Sequence, residues 1–518
     1  VEQKKSTGKK LTLMALILMI FTSVFGFTNM PRAFLLMGYG AIPWYIICGI
    51  TFFILYAFMM GEYGAAFRTE KGGIYSWMEK SVGPRYAFMA IFMWYASMII
   101  WMVAVSNVIL IPLSDLIFGT DTTQTWSLLG LSSTQTLGLI GALVVLVVTF
   151  VITRGITGIS KVTNIGGIAV IGIDSLLFLG AIIVLISSGG HLAQPITSAQ
   201  NFFTSPNPSY GTITGVLSFV VFAIFAYGGL EVVGGLVDQT EKPERTMPKA
   251  IIISAVIIAI FYSVGILFMG FFTNWHSNMS GSNVNLGNVA YLAMQNLGYK
   301  LGISFGLGQQ GGVVMGHWVA RFVGLTMFLN YLGAFVTLSY APLKQLIEGT
   351  PKELWPGSLG KVNKKDVPTV ALWVQFAIAV VLILLVAFGG ETVSRFFNDL
   401  ALMCNVAMTL PYMFVSIAFV QFKKKSSIQK PFQIFKTMRS TWIAAVAVTL
   451  TVGFANIFTI IQPALTGDWA STIWMIVGPV FFSGCALALY WRYERNKRSS
   501  GIGGSGEIKT QANPVKAQ

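Results

Sequence analysis

"FTSVFGFTNMP", residues 21–31, interrupts one of the most apolar stretches of the chain. It follows the run from Leu11 to Ile20, yet it carries Thr22, Ser23, Gly26, Thr28, Asn29 and Pro31 where hydrocarbon alone would be expected. Its surroundings decide how to read it. Of 518 residues, 54% are hydrophobic and only 10% charged, against roughly 25% in an ordinary soluble domain. So few charges cannot clothe a water-facing surface of this size. The matching solvent is a bilayer, whose core needs about 20 apolar residues per helical crossing.

Twelve stretches meet that length: 12–38, 41–62, 86–113, 135–153, 164–188, 212–236, 250–272, 319–341, 369–388, 396–421, 441–461 and 471–491. Long runs of Leu, Ile, Met and Ala argue for helices; the strands of a membrane barrel would alternate every second residue. The expected fold class is an all-α polytopic membrane protein. A net charge of +15 could point to nucleic acid, but its distribution argues otherwise. With a cytoplasmic N-terminus and alternating crossings, 30 of the 34 Lys and Arg gather on the inner side, leaving Arg32, Lys300, Arg321 and Arg395 outside. That bias places both termini in the cytoplasm of a cell membrane protein.

The expected organisation is a cytoplasmic tail over 1–10, a transmembrane unit over 11–492 and a Gly/Ser-rich disordered cytoplasmic tail over 493–518. The loop 68–85 carries Ile74, Tyr75, Trp77 and Met78 among its charges and reads as an amphipathic piece along the inner interface. The outer connection 284–302 has near-helical apolar spacing and reads as a short surface helix. Cys48, Cys404 and Cys485 lie in apolar spans without metal-ligand spacing, and His191, His276 and His317 fall in outer loops or at a span edge. No metal site or cofactor is expected. The chain has no phosphate-binding glycine loop and no nucleophile elbow, so it reads as a non-enzyme that uses no ATP.

A second interruption lies in "FVVFAIFAYGGLEVVGGLV", residues 219–237, with Gly228-Gly229 in the middle and Glu231 just beyond. The first and sixth spans are five apart. That spacing suits two five-helix repeats, about 11–188 and 212–421, each led by a broken helix, with two further helices over 441–491. Unwinding "GFTN" frees backbone groups that lipid cannot satisfy, so the segment must line a polar cavity. The half-helix that follows turns its positive end to a carboxylate, while carbonyls ending the preceding half-helix, with Ser23, accept from an amine. The site suits a molecule with an anionic and a cationic end.

"EYGAAFRTEKGGIYSWMEKSVGPR" (62–85) and "FAYGGLEVVGGLVDQTEKPERTMPKAI" (225–251) resemble the second-helix loop and the sixth helix of amino acid–polyamine–organocation (APC) superfamily transporters. The likeness runs from about residue 10 to 492. It is nearest the glutamate/γ-aminobutyrate antiporter branch and its YjeM-like members, which share "LILMIFTSVFGF" (16–27), "FVVFAIFAYGG" (219–229) and "FANIFTIIQP" (454–463). The resemblance implies a LeuT-type fold of 5 + 5 inverted repeats plus two helices, working by alternating access. It implies substrate contacts at Ser23, Gly26, Phe27 and Thr28 in the first span and at Ala226, Tyr227, Gly228 and Gly229 in the sixth. Phe225 would be an aromatic gate, with Ser97 and Trp101 in the third span and Thr337 in the eighth. Glu231 and Asp174, as intramembrane carboxylates, are candidates for gating or pathway charge.

Some relatives place a lysine where this chain has Val170, and sodium-coupled members of the wider fold use adjacent hydroxyls where Leu338 here separates Thr337 from Ser339. Both departures favour passive exchange. The expected function is secondary transport of a small-molecule amino acid or amine, an amino acid leaving or entering against another amino acid or its decarboxylated amine, as in glutamate/GABA or histidine/histamine exchange. An uncoupled facilitator or channel, or a transporter-like sensor, is the alternative.

Overall fold

A computed structural model describes residues 10–282 and 284–499. Among them no strand forms; a single isolated bridge pairs Leu11 with Thr240. Eleven helical runs are long and apolar enough to cross a membrane. The first, Leu13–Ala66, has 54 residues, about 80 Å if straight and far beyond one bilayer core. It reverses at Gly38–Gly40 and so supplies two crossings. The seventh span, Pro243–Phe272, shows the reversal along its length. Its start lies beside Gly61 and Gly64, and its end beside Tyr39. The described residues therefore cross twelve times. The side that holds the Lys/Arg-rich loops is called inner here.

The first and sixth spans are both broken. Helix Leu13–Val24 ends at an extended Phe25, and a second helix, Asn29–Met37, starts after the turn. Helix Ile213–Phe225 gives way at Ala226–Gly229 to a tighter 3-10 segment, Leu230–Gln239. The tenth span carries a third break that the apolar count passes over: Gly390–Ala407 and Leu410–Lys424 meet at Met408–Thr409, with Pro411 in the first turn of the second half.

Several expected boundaries shift. The fifth span runs Ile156–Ser187, eight residues earlier than its apolar run begins, and within that added stretch Thr163 buries its hydroxyl on the Ile159 carbonyl. The eighth span, Gly308–Gly349, is 42 residues long. It packs on Val289–Ser304, where a Cβ on Gly302 would stand 2.6 Å from the Gly312 Cα, so small residues set the approach. The expected surface helix thus exists, with one face buried. The last helix, Trp469–Ser499, extends through the start of the segment expected as a tail; the rest of that tail, from 500, and residues 1–9 lie outside the described residues.

The inner loop differs most from expectation. Helix Ile74–Ser81 does not lie along a lipid interface, for Ile74, Tyr75, Trp77 and Met78 are all fully buried. Trp77 stacks on Tyr63 with ring centroids 5.2 Å apart. The amphipathic face meets the bundle's own inner end.

Candidate substrate site

The two breaks meet at the centre of the bundle, joined by Tyr262 of the seventh span. Its buried hydroxyl accepts from the Gly26 amide at 2.9 Å and the Asn29 side chain at 3.2 Å, and donates to the Ala226 carbonyl at 3.0 Å. One side chain thus satisfies backbone groups that unwinding frees in both spans. The breaks also touch directly. Gly229 has φ +113°, and a Cβ there would collide with the Ser23 carbonyl, so neither the conformation nor the spacing admits a side chain. The Gly229 amide donates to the Tyr412 hydroxyl at 2.8 Å, tying the sixth-span break to the tenth span just beyond its own break.

A cavity of ≈ 560 Å³ opens at this junction. Of the residues expected at a site, Ser23, Gly26 and Trp101 line it, as do Phe225, Ala226, Gly228, Gly229 and Glu231. The others do not. Phe27 is fully buried away from it, and Thr28 is buried beside Tyr331. Ser97 and Thr337 turn their hydroxyls onto the carbonyls of Met93 and Gly333, one helical turn back, as hydroxyls in apolar spans commonly do. Tyr227 stacks on Phe53 at 4.8 Å and donates to the Tyr45 carbonyl at 3.0 Å. Asp174, within the helix Ile156–Ser187, is buried near Tyr262 and clear of the cavity, with neither carboxylate oxygen hydrogen-bonded.

Residues missed at the sequence level include Tyr262, Tyr412, Asn330 and Asn405. Pro411 was an available signal for the tenth-span break that places Met408, Thr409 and Tyr412. Nothing local marks Tyr262, a lone Tyr in a long apolar helix.

Toward the inner side the cavity stops at Glu231, and Leu230 to Val237 are buried without exception. Lys344 of the eighth span, also fully buried, donates to the Gly235 carbonyl at 3.0 Å and pairs with Asp238 at 2.5 Å. Gln345 accepts from the Ile74 amide at 2.9 Å and donates to the Glu231 carbonyl at 3.3 Å. Leu11 exchanges backbone bonds with Gln239 and Glu241 at 2.8 and 2.9 Å. Asn405 and Gln462, also on the lining, are exposed. The inner path is closed by the contacts of Lys344, Gln345 and Leu11.

Glu62 has a different task. Its carboxylate accepts from the Ile434 and Phe435 amides at 2.7 and 2.8 Å and pairs with Lys423 at 2.8 Å, anchoring the loop before the eleventh span.

Paired broken helices around a central cavity, in a bundle with its five-helix spacing, define a membrane transporter of the LeuT type. Residues 11–482 match the amino acid permease family, and the chain belongs to that family. It is 52% identical to the inner membrane transporter YjeM of Salmonella typhimurium and of Escherichia coli, over 94% of this chain and 97% of theirs. It is 24% identical to the aspartate/glutamate permease AcaP of Lactococcus lactis, over 84% of each chain. A glutamate/gamma-aminobutyrate antiporter of the same species is 22% identical, over 81% of this chain and 77% of its own.

Proposed function

We propose that this permease exchanges an amino acid for another amino acid or its decarboxylated amine by alternating access, in an inner membrane with both termini cytoplasmic. The observation that carries the reading is the junction of the two breaks on one cavity. The Asn29–Met37 half-helix turns its positive end there for a carboxylate. The carbonyl ends of Leu13–Val24 and Ile213–Phe225, with Glu231, accept from an ammonium group. The substrate-contacting residues in this reading are Ser23, Gly26, Trp101 and Phe225 with Ala226, Gly228 and Gly229, joined by Asn29 and Tyr412. Lys344, Gln345 and Asp238 form the inner gate. A pore would need a continuous path, and the buried segment below Glu231 supplies none. Exchange follows if the gate opens only around a bound molecule.

Proteoliposomes test this. Labelled amino acid should enter vesicles preloaded with unlabelled amino acid or amine and not empty ones. Equal uptake by empty vesicles would mean a facilitator or channel, and no uptake in either would favour a sensor.

A further inference from the structure

Within the reading that this cavity holds an amino acid, its charges say which kind. Among the described residues, and apart from tyrosine hydroxyls, Glu231 is the single ionisable side chain on the wall; no Lys, Arg or His lines it. Glu231 is 2% exposed, and its Oε2 has no hydrogen-bond partner. The side chains that face it are Tyr412 of the tenth span, Trp94 of the third and Tyr56 of the second, none of them cationic. The nearest cations on either side lie off the wall. Lys344, below, is held by Asp238 and the Gly235 carbonyl. Arg32, above, does not line the cavity and donates through Nε to the Leu286 carbonyl at 2.6 Å. The rest of the polar wall is neutral amide and hydroxyl, with Asn29, Asn330, Asn405 and Gln462 prominent.

A buried carboxylate with an unsatisfied oxygen calls for a cation or a donor, and a second carboxylate beside it is repelled and poorly solvated. The positive end of the first-span half-helix can serve one carboxylate. An α-amino acid with a neutral side chain uses that end for its carboxylate and Glu231 for its ammonium, leaving nothing unpaired. An acidic amino acid brings a second carboxylate for which the wall has no counter-charge. A decarboxylated amine keeps the group that matches Glu231. We infer that the site selects by charge, with Glu231 as counter-ion, taking amino acids and amines of net charge zero or +1 and rejecting acidic amino acids.

The purified full-length protein tests this with the twenty amino acids and their amines, by ligand-induced thermal shift and by competition against the best labelled binder. Two matched pairs, glutamine/glutamate and asparagine/aspartate, hold shape constant while charge changes. The best ligand should be neutral or cationic, and each acidic member should compete at least tenfold more weakly than its amide. In Glu231→Gln both members of each pair should bind more weakly as the ammonium loses its partner, and the gap should narrow because the second carboxylate no longer meets a like charge; if the variant does not fold, the wild-type pairs decide alone. An acidic amino acid as the best ligand, or parity within both pairs, would overturn charge selection while leaving the amino acid reading intact. A panel with no binder at all would remove both.

Discussion

The Tyr262 hydroxyl stands 2.9 Å from the Gly26 amide nitrogen and accepts its hydrogen bond. The same oxygen donates to the Ala226 carbonyl at 3.0 Å, so the two broken spans share one buried clamp. Each bond is worth about 1 kcal/mol net, and a buried partner left unsatisfied costs about 1–3 kcal/mol. Tyr262→Phe should therefore lower stability by about 2–4 kcal/mol, read as the unfolding temperature in detergent. It should also cut exchange more than folded yield, because the breaks lose their alignment. Unaltered exchange per folded molecule would show that the clamp only fills space.

The proposed inner gate makes a second expectation. Lys344 and Asp238 form a pair in which the lysine is fully buried. Removing one partner leaves an uncompensated charge, which costs about 3–5 kcal/mol. Lys344→Met and Asp238→Asn should each destabilise the inward-closed form, and the double variant should cost less than the two together. A cysteine at Leu236, now fully buried, should become reactive toward a membrane-impermeant maleimide from the inner side in either single variant. Equal protection in variant and parent would place the gate elsewhere.

Glu62 separates structure from transport. Its two backbone contacts and its Lys423 pair hold the loop before the eleventh span, far in sequence from either break. Glu62→Ala should lose about 3–5 kcal/mol and most of the folded yield. The molecules that do fold should exchange at the parent rate, measured per mole of protein recovered by size exclusion. A lowered rate with normal yield would move Glu62 into the pathway.

Asp174 is buried, unpartnered and off the cavity wall. An isosteric amide removes its possible charge and keeps its shape. Asp174→Asn should leave the relative affinities of the exchange partners unchanged, within twofold, in competition binding. A selective loss of the more cationic partner would show that the carboxylate reaches the substrate through a conformation other than this one.

Much of this was legible in the chain because lipid forbids unsatisfied backbone. A Gly/Thr/Asn/Pro interruption in an apolar run is costly unless it serves a cavity, so residues 21–31 and 225–231 marked themselves. Which of their side chains face the cavity was not legible. Thr28 and Tyr227 sit within the breaks yet point into packing, because an unwound turn has no fixed period from which to count faces. The same limit hid Tyr262 and Tyr412, whose roles exist only through partners 236 and 183 residues away. The loop helix at Ile74–Ser81 was misplaced for a related reason. Amphipathic spacing shows that a face is buried and not whether lipid or protein buries it.

The central claim, that substrate sits where the two breaks meet, is tested most directly at Gly228, which lines the cavity. A Cβ there would stand 3.0 Å from the Tyr412 hydroxyl and 3.2 Å from the Phe225 carbonyl, so a larger side chain must intrude on the space beside them. Binding of the labelled amino acid that best stabilises the purified parent should be measured on the parent and on Gly228→Leu at matched folded concentration. Binding to the parent should be saturable, and the variant should lose at least a hundredfold in affinity with folded yield largely kept. Parent-like affinity in Gly228→Leu would contradict the central claim and place the substrate elsewhere in the bundle.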